Sequence, residues 1–83
     1  MEQIARTTAQ LGAALRRRRR ELTLTQTKVG EQTHLRQGTI SRLENGEPKI
    51  QLQTLVDVLT ALDLELVVRP RTKVDTRLIE DIF

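Results

Sequence analysis

The sequence predicts an all-α domain of four to five helices, followed by one C-terminal strand that pairs across a dimer. Three observations support this fold class. Apolar residues recur with a helical period in several stretches. A single β-branched run, at residues 64–69, is typical of a strand. The chain has 83 residues with one Phe and no Trp, Tyr or Cys, so it must build a small aliphatic core without disulfides. Because a core of this size is marginal, we expect a homodimer.

The first helix is predicted from Thr8 to Glu21. Thr7 or Thr8 is expected to cap its start, because threonine side chains accept hydrogen bonds from the free backbone N–H groups of a first turn. The segment 21–24 then turns the chain. The apolar positions that share one face of a 3.6-residue period are Leu11, Ala14, Leu15 and Leu22.

The second helix is predicted from Gln26 to Thr33, with Thr25 as its N-cap. Gly30 in the helix interior costs about 1 kcal/mol relative to alanine, which predicts that another backbone segment passes close to it. His34 stands in the following turn.

Helix-breaking residues separate the third helix from the fourth. The third helix is predicted from Gln37 to Asn45, where Asn45-Gly46 should end it through a left-handed cap, and Pro48 supports the break. The fourth helix ends at Asp63, a position that glycine would occupy more comfortably. Its apolar positions are Leu52, Leu55, Val56, Val58, Leu59 and Leu62.

Residues 64–70 are predicted to form a dimerisation strand that stops at Pro70. One strand cannot make a sheet, so its partner is expected to be a second copy of the chain. The residues expected at this contact are Leu64, Leu66, Val67 and Val68. Residues 71–83 are predicted to be a flexible C-terminal tail, which could bind a partner, fray without a role, or pack on its own dimer. The apolar residues of this tail are Leu78, Ile79, Ile82 and Phe83.

Charge is spread unevenly along the chain, whose net charge is +3. Residues 1–50 carry ten basic and five acidic side chains, whereas residues 51–83 carry four and six; a basic half of this kind is typical of a nucleic-acid surface. No apolar run approaches the ~20 residues of a membrane span, and the N-terminus lacks the apolar region of a secretory signal. A cytoplasmic location is therefore expected. With no Cys and one His, we expect no metal site, no cofactor and no enzymatic activity.

Two short helices joined by a tight turn carry the clearest motif. The letters LTQ at 24–26 and TISRLENG at 39–46 resemble the phage-repressor (Cro/CI, XRE) helix-turn-helix domain, over roughly residues 8–62. The resemblance implies a lambda-repressor-like helix-turn-helix DNA-binding domain at 1–63, with the second helix of the motif in the major groove. The DNA-binding residues that it implies are Gln26, Arg36, Gln37, Gly38, Thr39, Ser41, Arg42, Asn45 and Lys49.

The chemistry of these side chains suits that role. Arg36 can pair with guanine and Gln37 with adenine, while Gly38 permits close approach. Gln26 begins a helix, where the dipole and free N–H groups favour a phosphate, and its amide can also support Gln37. The residues expected nearer to phosphates are Thr39, Arg42, Asn45 and Lys49.

Glu44 needs a separate explanation, because DNA repels a carboxylate. In the family the matching acid pairs with an arginine of the first helix, so the resemblance implies a structural ion pair between Arg19 and Glu44. Three departures from the family pattern stand nearby. Thr23 and His34 occupy positions where glycine is common, and Arg36 occupies a position that many members fill with a capping residue.

The segment LDLELVVRPR at 62–71 resembles the HipB-type antitoxins. This second resemblance implies a homodimeric antitoxin that represses its own toxin–antitoxin operon at inverted repeats and binds a HipA-type serine/threonine kinase toxin. Two alternatives stay open. One is a free-standing XRE-type transcriptional repressor without a toxin partner, and the other is an interaction adaptor that keeps the fold without binding DNA.

Overall fold

The structure, a computed structural model, describes residues 2–71. This part of the chain contains four helices: α1 (Thr8–Glu21), α2 (Gln26–Thr33), α3 (Gln37–Glu44) and α4 (Leu52–Ala61). The predicted all-α fold is confirmed, and the helix bounds differ from the predicted ones only at the last residues of α3 and α4. None of the helices between residues 2 and 71 has the length and apolar character that crossing a membrane requires.

Threonine side chains cap the starts of α1 and α2. Thr7 Oγ1 accepts a hydrogen bond from the backbone N–H of Gln10 at 3.0 Å, and Thr25 Oγ1 accepts one from the N–H of Lys28 at 3.0 Å. The N-cap of α3 is Arg36, whose side chain makes no capping hydrogen bond because a guanidinium has no acceptor. The start of α3 therefore keeps free backbone donors.

Each helix is followed by a residue whose backbone is in the left-handed conformation. After α1, the N–H of Thr23 donates to the carbonyl of Arg20 and the N–H of Leu24 donates to that of Arg19, both at 3.0 Å. This pair of bonds is a Schellman motif, and α3 and α4 end in the same way. The residues with positive φ are Thr23 (56°), His34 (59°), Asp63 (55°) and Gly46 (81°).

The core is aliphatic and receives residues from every helix. Gly12 brings α1 directly against the end of α3, since a Cβ atom there would lie 2.6 Å from the carbonyl oxygen of Leu43. A Cβ at Gly30 would lie 2.6 Å from the carbonyl oxygen of Leu35, so the predicted close passage of another backbone segment is observed. Within residues 2–71 the buried apolar residues are Leu15, Val29, Ile40, Leu43, Val58, Leu59 and Leu62.

Residues 64–71 form neither helix nor strand. The predicted strand is thus absent from the single chain, which offers it no partner, and its pairing with a second copy stays a prediction. Leu64 packs against the core of its own chain, whereas Leu66, Val67 and Val68 are 58%, 68% and 93% exposed. The apolar tail residues named above lie outside the described residues.

Candidate nucleic-acid interface

The candidate interface is formed by α2, α3 and the turn at residues 34–36. His34 takes the left-handed conformation at the end of α2, and the next N–H, that of Leu35, donates to the carbonyl of Gly30 at 2.9 Å. Gly30 lets the turn fold back over α2, because any side chain there would collide with the Leu35 carbonyl. The result is a tight turn that holds α3 against α2.

The first turn of α3 presents most of the predicted base readers to solvent. Arg36, Gln37 and Gly38 are exposed, and Thr39 and Ser41 are half-buried. Apart from the adjacent residues and the backbone of α3 itself, no described atom lies within 4 Å of a Cβ built at Gly38, so the packing of the chain does not require glycine there. A shallow depression on this surface is lined by Arg36, Gly38, Thr39 and Arg42.

Gln26 connects this surface to the interior. Its side-chain oxygen accepts a hydrogen bond from Gln37 Nε2 at 2.5 Å, and its own Nε2 donates to Glu44 Oε1 at 3.1 Å. The Gln37 amide is therefore already oriented in the free protein. Its other polar atom, Oε1, points to no described hydrogen-bond donor and remains free to accept a hydrogen bond from a ligand.

Glu44 lies at the centre of a buried polar cluster. Arg19 Nε donates to Glu44 Oε2 at 2.6 Å and Arg19 Nη2 donates to Glu44 Oε1 at 3.0 Å. The two side chains are only 10% and 3% exposed. Arg19 Nη1 also donates to the carbonyl of Leu24 at 2.9 Å. Within residues 2–71 every buried side-chain nitrogen and oxygen has a hydrogen-bond partner, so the cluster carries no unpaired polar group.

The cluster holds both charges in their ionised forms. Burial by itself would raise the pKa of Glu44, but hydrogen bonds from Arg19 and Gln26 and the positive charge of Arg19 outweigh it, and the pKa lies below its ordinary value. The hydrogen bond to Glu44 raises the pKa of Arg19, against the opposing effect of burial. Glu44 is therefore anionic at neutral pH and neutralised locally by arginine.

Arg16 belongs to the same cluster, a contact that neither the sequence motifs nor the family resemblance predicted. Its Nε lies 3.4 Å from Glu44 Oε1, and its Nη2 donates to Asn45 Oδ1 at 2.9 Å. The available signal was spacing, because Arg16 precedes Arg19 by three residues and so shares its helix face. Asn45 and Lys49 are exposed in the segment that follows α3, and the structure brings only Asn45 into contact with the cluster.

The helix-turn-helix family model HTH_3 matches residues 15–68. The chain belongs to this family. The chain is therefore a DNA-binding helix-turn-helix protein. No curated protein sequence matches it.

Among solved structures, several HipB complexes share the fold of this helix-turn-helix protein. The HipB–O4 20mer complex has a TM-score of 0.80 at 25% identity, covering 86% of this chain and 100% of that one. The HipA–HipB–O2–O3 complex has a TM-score of 0.79 at 25% identity, with the same coverage. The clp gene regulator ClgR from C. glutamicum has a TM-score of 0.64 at 29% identity, covering 75% of this chain and 80% of that one. The expected resemblance to HipB is thereby confirmed.

Proposed function

We propose that the chain is a homodimeric, sequence-specific DNA-binding antitoxin, which represses its own toxin–antitoxin operon and binds a HipA-type serine/threonine kinase toxin. One observation carries the DNA-binding part. The exposed start of α3 combines an arginine, a glutamine amide oriented from behind and a glycine with open space above it. These are the features that a major-groove reader needs.

In this proposal base contacts come from Arg36, Gln37 and Ser41, while Gly38 allows the backbone to approach the groove. Phosphate contacts position the protein on the duplex without reading sequence. The residues proposed for them are Gln26, Thr39, Arg42, Asn45 and Lys49. The acidic residue of α3, Glu44, is paired with Arg16 and Arg19, so its charge does not repel a phosphate at this surface.

The proposed dimer rests on two exposed apolar surfaces. Leu52 and Val56, one turn apart on α4, are 69% and 41% exposed, and the segment after α4 exposes Leu66, Val67 and Val68. Apolar surface of this extent in so small a protein favours self-association. Sedimentation of the full chain at low micromolar concentration is expected to give twice its 9.5 kDa mass.

The proposed kinase partner is supported by the likeness to HipB in a HipA–HipB–DNA complex. The likeness to the clp gene regulator ClgR keeps open the alternative of a free-standing XRE-type repressor. Affinity capture with the tagged full chain in its native host separates the two. Recovery of a stoichiometric kinase supports the antitoxin, whereas recovery of DNA and the chain alone supports the free-standing repressor. Both functions are those of a cytoplasmic regulator and require neither cofactor nor metal.

DNA reading is tested first by selecting duplexes from a random library with the full chain. We expect inverted half-sites about one helical turn apart. On the selected duplex, Gln37→Ala should weaken binding by about 1–3 kcal/mol and relax specificity at one base pair. Gln53→Ala is the matched control, because that exposed glutamine on α4 bonds only Asp57. Equal losses from the two variants would contradict the assignment of α3 as the reader.

A further inference from the structure

Arg16 links the buried cluster to the surface just beyond α3. It is half-exposed, with 39% of its side chain accessible. One nitrogen contacts the buried carboxylate of Glu44 and another donates to the Asn45 side chain at 2.9 Å. The neighbouring Arg17, in contrast, is exposed and contacts none of these groups. Within the arginine run 16–20, Arg16 and Arg19 both bond Glu44, and Arg16 alone also bonds Asn45.

The contact determines which way the Asn45 amide points. A guanidinium has donors and no acceptor, so it requires the amide oxygen of Asn45 on its own side. The amide NH₂ group is thereby turned away from Arg16. Asn45 is exposed, and within residues 2–71 no acceptor is bonded to its two N–H donors. An oriented, solvent-facing pair of donors is suited to an oxygen-rich anion.

The position is otherwise unfavourable for an anion. The C-terminus of a helix carries partial negative charge, and the carboxylate of Glu44, which Arg19 and Arg16 neutralise together, stands at the end of α3. Arg16 adds a positive charge between Glu44 and Asn45, which offsets this field where Asn45 presents its donors. The charge of Arg16 therefore makes a phosphate contact by Asn45 more favourable.

We propose that Arg16 is a positioning residue for DNA binding, which orients the Asn45 amide so that its NH₂ group donates to a backbone phosphate. The proposal rests on the proposed DNA binding and deepens it. Asn45 makes the contact, and Arg16 acts through Asn45 rather than on the DNA.

The test is a double-mutant cycle on the affinity of the full chain for its selected duplex. Arg16→Met and Asn45→Ala should each weaken binding about 5–10-fold, the loss expected for one hydrogen bond. The double variant should bind no more weakly than Asn45→Ala alone, because coupled residues are not additive. Losses that multiply in the double variant would overturn the proposal.

Two controls separate positioning from other effects. Arg17→Met removes the same charge from the next residue, and it should change the affinity less than twofold. A loss equal to that of Arg16→Met would assign the effect to net charge alone. Asn45→Asp keeps the oxygen that Arg16 needs but removes the NH₂ donors, so it should bind at least as weakly as Asn45→Ala. If Asn45→Asp bound the duplex as tightly as the wild type does, the proposal would be overturned, since Arg16 is intact in that variant.

If the wild-type chain bound no duplex at all, the proposed function would be refuted. That result differs from any that would refute only the positioning role of Arg16. A purely structural role is also separable. In that case the affinity of Arg16→Met would recover to the wild-type value at a temperature where circular dichroism shows the variant fully folded. The positioning role predicts that the loss persists there.

Discussion

Glu44→Gln is expected to destabilise the protein strongly while nearly preserving side-chain shape. The substitution leaves Arg19 charged inside the protein without a counter-ion, facing two neutral acceptors, the new amide oxygen and the carbonyl of Leu24. The NH₂ group of the new glutamine would also face the hydrogen-bond donors of Arg16, Arg19 and Gln26, which it cannot satisfy. Removing one partner of a buried pair typically costs about 3–5 kcal/mol. Because the Arg19 side chain is still 10% exposed, we expect the lower end, about 3 kcal/mol.

A loss of this size is a large share of the stability of a small domain, which is about 5–15 kcal/mol in general. It corresponds to a fall of about 12 °C or more in Tm. Urea unfolding followed by helical circular dichroism measures it directly. The control is Glu31→Gln, which breaks an ion pair with Lys28 of 3.7 Å at a site where both side chains are more than half exposed. That change should cost less than about 1 kcal/mol.

The pH dependence provides a second check on the same residue. The pKa of Glu44 is lowered in the folded state, so the unfolded chain binds a proton at this position more readily. The stabilisation is thus fully present above the unfolded pKa of about 4.3 and is lost as pH falls through the lower folded value. The stability gap between wild type and Glu44→Gln should be constant near neutral pH and narrow below about pH 4. A cost below about 1 kcal/mol, or a gap that widens in acid, would refute the buried-carboxylate account.

Two further substitutions test the backbone geometry by the same unfolding measurement. Thr23→Gly should stabilise the fold by about 1 kcal/mol, because Thr23 has φ 56° and a left-handed backbone costs residues with a side chain about 1–2 kcal/mol; a loss of stability would contradict this. Gly12→Ala should destabilise by about 1–3 kcal/mol, since its Cβ would meet the backbone carbonyls of Leu43 and Glu44. Gly38→Ala, with open space at its Cβ, is the control and should not lower stability.

Local sequence signals predicted most of the helix boundaries. Thr7 and Thr25 can each bond a backbone N–H a few residues ahead, so their role as caps depends on the adjacent residues alone. The left-handed position at Asp63 was also predictable, because it follows the last apolar residue of a helical period, whereas that at His34 was expected through the family resemblance. The Arg19–Glu44 pair could be expected only through the family resemblance, since nothing local brings residues 25 positions apart together.

The features that were not predicted depend on how helices cross. Nothing in the sequence around Gly12 indicates that glycine is required there, because the requirement comes from the contact with the end of α3. Arg16 is one of five successive arginines, and only the packing of α1 against α3 selects it for contact with Glu44 and Asn45. The proposed base-contacting residues were predicted only in part. Their exposure follows from the motif, but the orientation of Gln37 depends on Gln26 and on the buried carboxylate behind it.

The open space at Gly38 has a consequence for how new operator preferences could arise. Glycine inside a helix lowers helix stability by about 1 kcal/mol relative to alanine, and here no internal contact compensates. We therefore expect most substitutions at Gly38 to leave the stability of the fold unchanged or raised. Selection for glycine at this position would come from DNA binding. Arg36, whose side chain makes no cap, is similarly unconstrained, whereas Gln37 is tied to Gln26 and the buried cluster. Libraries that redirect this protein to other DNA sequences should vary positions 36 and 38 first and leave 37 fixed.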